Sequence, residues 1–287
     1  MGWWIAVLGV LVVLLALRDI FHTLWHPTRR GGVSRLVMAA LWRVSQRVGG
    51  KRVAGVVGPL GMLAVVSMWG LLLVVGWALV YLSRMPEGFA FDPGLRPEDR
   101  SNVLDSFYLS IVAVGTLGYG DVVPVDGWLR VVSPLQALVG FVLLTAVVSW
   151  VLGSYPALGR RKALARRLAI LHEVDSEAHQ PPVVLGASTL ESLASEVIRV
   201  RVDIGQYPET YYFFDDDAGQ ALPLWAPYAY RVACRMRSEG EGEVRPAAAV
   251  LERALADLAR TLDLHFLHTE GSPEVVFDRY QEEHARR

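Results

Sequence analysis

One stretch decides how this chain folds: Gly115-Thr116-Leu117-Gly118-Tyr119-Gly120-Asp121. It lies between two runs that hold no charged residue, residues 53–83 and 131–159, each longer than the roughly 20 helical residues that cross a bilayer. The apolar stretch before it, residues 103–117, is too short to span a membrane and is either a soluble helix or a re-entrant segment buried within protein. The order along the chain is thus span, short helix, glycine-rich loop, span.

The composition points to a membrane protein. Of 287 residues, 53% are hydrophobic and 20% are charged, and the mean hydropathy is +0.32, which argues against both an ordinary soluble enzyme and a disordered chain. A net charge of -1 argues against a strongly basic nucleic-acid binder. Cys234 is the one cysteine, so an internal disulfide and a cysteine-based zinc or iron–sulfur site are excluded.

A third span is predicted at the start, over residues 1–26. Residues 2–17 are apolar, and the run reaches spanning length if residues 20–25 continue the helix past the pair Arg18 and Asp19. A secretory signal peptide is the competing interpretation, but no basic residue precedes the apolar run and no small-x-small cleavage site follows it. We therefore expect a retained transmembrane helix.

The positions of basic residues predict the orientation. Residues 20–83 contain seven Arg or Lys and no Asp or Glu, which marks the loop over residues 27–54 as cytoplasmic. The N-terminus is then outside and the C-terminus inside, in a multi-pass protein of the plasma (inner) membrane. Within this loop, residues 33–48 have the pattern of an amphipathic helix lying on the inner membrane face or, alternatively, of a packed cytosolic helix.

The opening stretch resembles the T-V-G-Y-G-D selectivity filter of the prokaryotic two-transmembrane, pore-loop potassium channel family. In such a filter, backbone carbonyls replace the water around K⁺, and they point to one side only if alternate residues adopt left-handed dihedrals, as Gly118 and Gly120 can. The resemblance implies a K⁺-coordinating filter of Thr116, Leu117, Gly118, Tyr119 and Gly120, with the carbonyls of the first four and the Thr116 hydroxyl as ligands. One filter per chain implies a homotetramer, so each chain has three identical partners.

The resemblance extends over about residues 55–155 and implies further roles. Asp121 and Pro124 flank the filter, Trp128 begins an inner helix over residues 128–155, and Gly140 is its hinge. One face of this helix is expected to line the pore and close it by excluding water: Phe141, Leu144, Val148 and Leu152. Packing of the same face on lipid or on a neighbouring helix is the alternative.

The sequence departs from the family pattern at three positions. Gly115 replaces a threonine, and Leu117 replaces Val or Ile behind the filter. Val112 stands where some bacterial relatives have a glutamate that pairs with the filter aspartate. Asp121 must then find another partner, and Tyr108, about two turns before the filter, is the candidate.

The remainder, residues 156–287, has no membrane run and is predicted to be helical over 160–176, 188–204, 221–237 and 246–268. Neither a dinucleotide-binding fingerprint nor a jelly-roll pattern is present in the sequence. Residues 1–159 carry 12 basic and 8 acidic side chains, against 16 and 21 in residues 160–287. We expect an acidic cytosolic domain that assembles the tetramer or binds an unidentified gating ligand.

One group of side chains allows a metal site as an alternative. Asp19, His22 and His26 share a helical face at the inner end of the first span. A fourth ligand is not visible, so we favour a hydrogen-bonded junction between that span and the basic loop.

The sequence thus predicts an all-α membrane protein with a pore-loop, tetrameric cation channel fold and a helical cytosolic domain. Its pore domain, residues 55–155, comprises an outer helix 55–83, a pore helix 103–115, a filter 116–121 and the inner helix. The predicted function is passive K⁺ conduction, with K⁺ as the permeant ion, no organic cofactor, no enzymatic activity, lipid as surroundings and no nucleic-acid partner. The alternatives are a membrane-anchored signalling protein with a vestigial pore and a potassium-uptake transporter subunit.

Overall fold

The computed structural model describes residues 2–25, 32–48, 51–95, 100–177 and 184–285, and it is built almost wholly of helices. The described chain forms helices α1 (Gly2–Leu24), α2 (Val33–Val48), α3 (Lys51–Leu82), α4 (Asn102–Val114), α5 (Gly127–Glu177), α6 (Ala187–Gln206), α7 (Leu222–Glu239), α8 (Val244–Leu262) and α9 (Pro273–Ala285). Two short strands, β1 (Phe89–Phe91) and β2 (Val122–Pro124), pair antiparallel. The predicted all-α membrane class is confirmed.

Within the described ranges, three helices are long and apolar enough to cross a membrane: α1, residues 55–82 of α3, and α5. The short apolar helix α4 lies between the last two in sequence. The chain divides into two compact units, one of residues 1–37 and 62–151 and the other of residues 38–61 and 152–287.

In the first unit, α1 packs closely on α3 through glycines. A Cβ atom added to Gly9 would lie 2.5 Å from the Gly76 carbonyl oxygen, and one added to Gly76 would lie 2.7 Å from Val13 Cγ2. Small residues let two helix backbones approach within the membrane, where van der Waals packing replaces the hydrophobic effect as the main attraction. The glycines therefore fix α1 against α3.

The core beside the loop forms where the end of α3 meets the hairpin and the first turn of α5. Tyr81, Met85, Phe89, Leu109, Val122 and Leu129 are its buried members. The hairpin contributes from both strands, in the register that pairs Phe89 with Pro124 and Phe91 with Val122. It therefore holds the chain that follows residue 121 against the end of the outer helix.

In the second unit, α6, α7, α8 and α9 pack with α8 in the middle. Tyr211 stacks on Phe266 with ring centroids 4.0 Å apart, and Tyr280 beside it is fully buried. The unit begins with residues 152–177 of α5, which a buried ion pair joins to the following chain: Arg161 lies 2.8 Å from Asp215, with each side chain 3% exposed.

The helix bounds differ from the sequence expectations in three places. The inner helix does not end at residue 155 but continues to Glu177, so the predicted helix 160–176 is part of α5. The reason is that Ala157, Leu158, Leu164 and Leu168 are buried at helical spacing beyond the apolar run, and a single glycine costs only about 1 kcal/mol in a helix. Helix α3 begins at Lys51 rather than 55, and α9 was not predicted.

Candidate functional site

The loop after α4 has alternating backbone handedness. Thr116, Gly118 and Gly120 have φ angles of 55°, 58° and 81°, all in the left-handed region. The sequence predicts this for the two glycines but not for Thr116, because a residue with a side chain adopts such a φ at a cost of about 1–2 kcal/mol. Backbone strain of this kind persists only when the surrounding structure enforces it. Alternation of this kind is what allows successive carbonyls of a loop to point to one side.

Hydrogen bonds to the end of α4 hold the first residues of the loop. The Thr116 amide donates to the Ala113 carbonyl at 3.0 Å, and the Leu117 amide donates to the Val112 carbonyl at 2.9 Å. These bonds use carbonyl groups that the last turn of a helix leaves without an intrahelical partner. The end of the helix thereby sets the position at which the strained segment begins.

Asp121 fixes the other end of the loop. Its Oδ2 atom accepts a hydrogen bond from Tyr108 Oη at 2.5 Å, and its Oδ1 atom accepts one from the Val122 amide at 3.1 Å. The Asp121 carbonyl accepts a further bond from the Asp92 amide at 2.8 Å. The structure thus brings together Tyr108 and Asp121, the pair that the sequence analysis expected.

A polar group that sequence reasoning missed lies behind α4. Gln136 of α5 is fully buried and accepts a hydrogen bond from Tyr81 of α3. Its amide nitrogen donates to the Ser110 carbonyl at 3.0 Å and lies 2.9 Å from the Ser110 hydroxyl, which donates to the Val74 carbonyl at 2.8 Å. The group joins three helices. The sequence does contain one indication of this group, because Gln136 is the one carboxamide in the charge-free run 131–159.

The predicted hinge glycine lies at a close helix contact. A Cβ atom added to Gly140 would lie 2.3 Å from the Val114 carbonyl oxygen, at the last residue of α4. Close packing is therefore a reason for glycine at this position, whether or not the helix bends here. The face predicted to line the pore is open on the single chain: Phe141, Leu144, Val148 and Leu152 are each between 49% and 69% exposed.

Asp19 forms a hydrogen-bonded junction. Its Oδ1 atom accepts from the amides of Gly32 and Val33 at 3.0 and 2.9 Å, and its Oδ2 atom accepts from the Ser34 amide at 3.1 Å and from Trp69 Nε1 at 2.8 Å. This carboxylate caps the start of α2 and ties it to α1 and α3. Across the described residues, no group of three or more His, Cys, Asp and Glu side chains could hold a metal ion. His26, named in the metal alternative, lies outside them.

Comparison with known proteins shows that the region around the loop is similar to ion channels. A family model described as an ion channel matches residues 67–153. The chain is 26% identical over 166 residues to the "Uncharacterized membrane protein YdjJ" of Bacillus subtilis (strain 168). This alignment covers 57% of this chain and 48% of the relative. It is 34% identical over 94 residues to "Protein LctB" of Bacillus caldotenax, covering 31% of this chain and 69% of that one. No solved structure matches.

The alignment to YdjJ spans about half of that relative's length. The residues that match the family model include the second half of α3, the whole of α4, the loop with alternating handedness and α5 as far as Gly153. These are the outer span, the short helix, the loop and the inner span, in the order that a pore requires. With α1 as an added N-terminal helix, the chain belongs to the two-transmembrane, pore-loop potassium channel family.

Proposed function

We propose that four copies of this chain form a potassium-selective channel that conducts K⁺ passively across the plasma membrane. The observation that carries the proposal is the alternation of left-handed φ at Thr116, Gly118 and Gly120 in a loop held at both ends. K⁺ leaving water requires oxygen ligands at every step, and rings of carbonyls provide them. The carbonyls of Thr116, Leu117, Gly118 and Tyr119, with the Thr116 hydroxyl, would be those ligands.

The exposure of the loop on a single chain supports the homotetramer. Residues 115–120 are all exposed, and the side chains of Leu117 and Tyr119 are 54% and 67% exposed. Irregular backbone at membrane depth is tolerated only where protein buries it or where it lines a water-filled path. Three further copies around a common axis would cover the outer side of each loop and leave the inner side to the ion.

The exposed face of α5 is the proposed gate. Phe141, Leu144 and Val148 are large apolar residues in the first unit, and Leu152 continues the same face. Four such faces converging on an axis would close the path by excluding water. The second unit, which we place in the cytoplasm with the C-terminus, is the candidate receiver of a gating ligand. The N-terminus would be outside, as the basic residues between the first two spans indicate.

Ion flux into liposomes tests the proposal, with Gly118→Ala as the critical variant. A Cβ atom at φ of 58° is strained whatever space surrounds it, so the variant should lose K⁺ over Na⁺ selectivity. Gly70→Ala is the matched control, because a Cβ atom there meets nothing within 4 Å and its φ is not positive.

We expect barium-blocked K⁺ flux from the wild type and from Gly70→Ala. Equal discrimination of Na⁺ and K⁺ in Gly118→Ala and wild type would refute the filter assignment. A folded tetramer without flux, tested across pH, calcium and nucleotide conditions, would favour the signalling protein with a vestigial pore.

A further inference from the structure

A large groove opens on the first unit where the start of α1 lies against the end of α3 and the first turn of α5. Its volume is about 820 Å³, within the roughly 300–1,000 Å³ that small-molecule sites occupy. The lining is mostly apolar and includes Trp3, Ala6, Val10, Val80, Trp128 and Arg84. The groove depends on α1, the helix that the two-transmembrane plan lacks.

The groove lies on the side of α3 that faces away from the pore helix. At 3.6 residues per turn, Ser83 in the groove lies about 180° around α3 from Val74 and about 200° from Tyr81. Val74 accepts a hydrogen bond from α4, and Tyr81 donates one to Gln136 of α5. The outer helix therefore separates the groove from the loop and its support.

The first turn of α5 also places the groove on the side that faces away from the proposed pore. Trp128 in the groove lies about 160° around α5 from Leu144 and about 200° from Val148, two residues of the proposed pore-lining face. Neighbouring copies that meet around the loop would not reach this side. The medium in contact with the groove is then the bilayer.

The side chains around the groove are of the kinds that bind a lipid at the membrane surface. Trp3 and Trp4 line it at the start of α1 and are 85% and 81% exposed, and tryptophan favours the boundary between hydrocarbon and head groups. Arg84 lies at the same end with 47% of its side chain exposed. Its Nε and Nη2 atoms lie 2.8 Å from one oxygen of Asp126, and a guanidinium has five N–H donors, so donors remain for a second anion.

We propose that this groove binds a phospholipid. The acyl chain lies against α1 and Val80, and the phosphodiester accepts hydrogen bonds from Arg84 beside Trp128. Guanidinium and phosphate form strong, charge-assisted hydrogen bonds, whereas the apolar wall alone does not distinguish one lipid from another. The lipid occupies the leaflet at the Asp121 end of the filter and holds the added helix to the outer helix.

The test counts lipids retained by the full-length protein in detergent, by native mass spectrometry. Delipidated protein is supplied in turn with phosphatidylglycerol, phosphatidylethanolamine, a phosphate-free glucosyl diacylglycerol and inorganic phosphate. We expect about one retained lipid per chain with either phospholipid and no retention of the other two. Arg84→Gln should weaken retention about tenfold. Arg130→Gln, an exposed arginine at the same end that does not line the groove, should leave it unchanged.

A second pair keeps the test decisive if Arg84→Gln fails to fold. Ala6→Phe fills the groove from α1, whereas Leu8→Phe adds the same ring on an exposed part of α1 outside the lining. Loss of lipid in the first variant alone supports the proposal. Equal retention in both variants, or retention of the glucosyl lipid equal to that of the phospholipids, overturns it. A change in oligomer size with an unchanged lipid count would identify the groove as a subunit contact and also overturn it. Ion flux enters none of these readouts.

Discussion

The Tyr108 hydroxyl donates a hydrogen bond of 2.5 Å to Asp121 Oδ2, which joins the middle of the pore helix to the outer end of the proposed filter. Asp121 also accepts from the amide of Val122, the first residue of β2. A hydrogen bond to a charged group contributes about 1.5–3 kcal/mol. This bond therefore opposes movement of the outer filter away from α4.

Tyr108→Phe removes this bond and keeps the aromatic ring. We expect slow inactivation to become faster, because the outer end of the filter loses one of its restraints. Single-channel or macroscopic current decay measures this. Tyr228→Phe is the matched control, since it removes a tyrosine hydroxyl that lies 3.4 Å from an Asp175 oxygen in the second unit. Unchanged inactivation in Tyr108→Phe would remove the pair from the mechanism.

Gly140→Ala tests whether this glycine serves packing. The new methyl group would be built 2.3 Å from the Val114 carbonyl, a distance that backbone atoms cannot tolerate, so α5 must shift from the end of the pore helix. We expect a lower yield of folded oligomer on size-exclusion chromatography and reduced flux. Gly159→Ala, in the same helix with open space around it, should be neutral or stabilising by up to about 1 kcal/mol.

A hinge without a packing role gives the opposite pattern for Gly140. The variant would then fold and assemble like the wild type, and only its gating would change. Normal oligomer yield together with altered open probability would therefore contradict the packing explanation.

Much of the site follows from local sequence patterns. Charge-free runs located the three spans because hydrocarbon excludes charge, and Gly118 and Gly120 indicated left-handed backbone because glycine lacks a Cβ atom. Tyr108 could be named as a partner because the absence of a glutamate at residue 112 left Asp121 requiring one.

Other features depend on contacts between segments far apart in sequence. The left-handed Thr116 follows from restraints at both ends of the loop, and the close contact at Gly140 depends on where α4 ends. The continuation of α5 beyond residue 155 depends on burial by the second unit's own helices, which no local pattern of hydropathy shows.

Gln136→Leu should destabilise the pore unit. Tyr81 and Ser110 would each lose a buried hydrogen-bond partner, and an unsatisfied buried polar group costs about 1–3 kcal/mol. We expect a lower unfolding temperature in detergent, measured by intrinsic fluorescence. Thr145→Val is the control, because this exposed hydroxyl bonds to the Phe141 carbonyl within its own helix. Equal unfolding temperatures for wild type and Gln136→Leu would show that the group does not contribute to stability.

The second unit should lose stability in mild acid through His284. Its ring lies between Trp42 and Tyr280, with ring centroids 5.2 and 4.7 Å away. Burial lowers the pKa of His284 from 6.5 to about 4, although the Tyr211 and Tyr280 carbonyls favour the charged ring; the nearby charges of Arg161 and Asp215 act in opposite directions. Between these two pKa values the unfolded chain binds a proton that the folded chain does not.

The neutral ring therefore makes its full contribution to the free energy of unfolding above pH 6.5. This contribution falls as the pH drops toward 4, by about 3 kcal/mol in total. Denaturant unfolding of the full-length protein at pH 7.5, 6 and 5 should show the loss. His284→Gln should be less stable at pH 7.5 and should flatten the pH dependence, because the titrating group is gone. His172→Gln, which changes an exposed ring, should keep the wild-type slope. A wild type equally stable at pH 7.5 and 5 would mean that burial does not keep the His284 ring neutral in the folded chain.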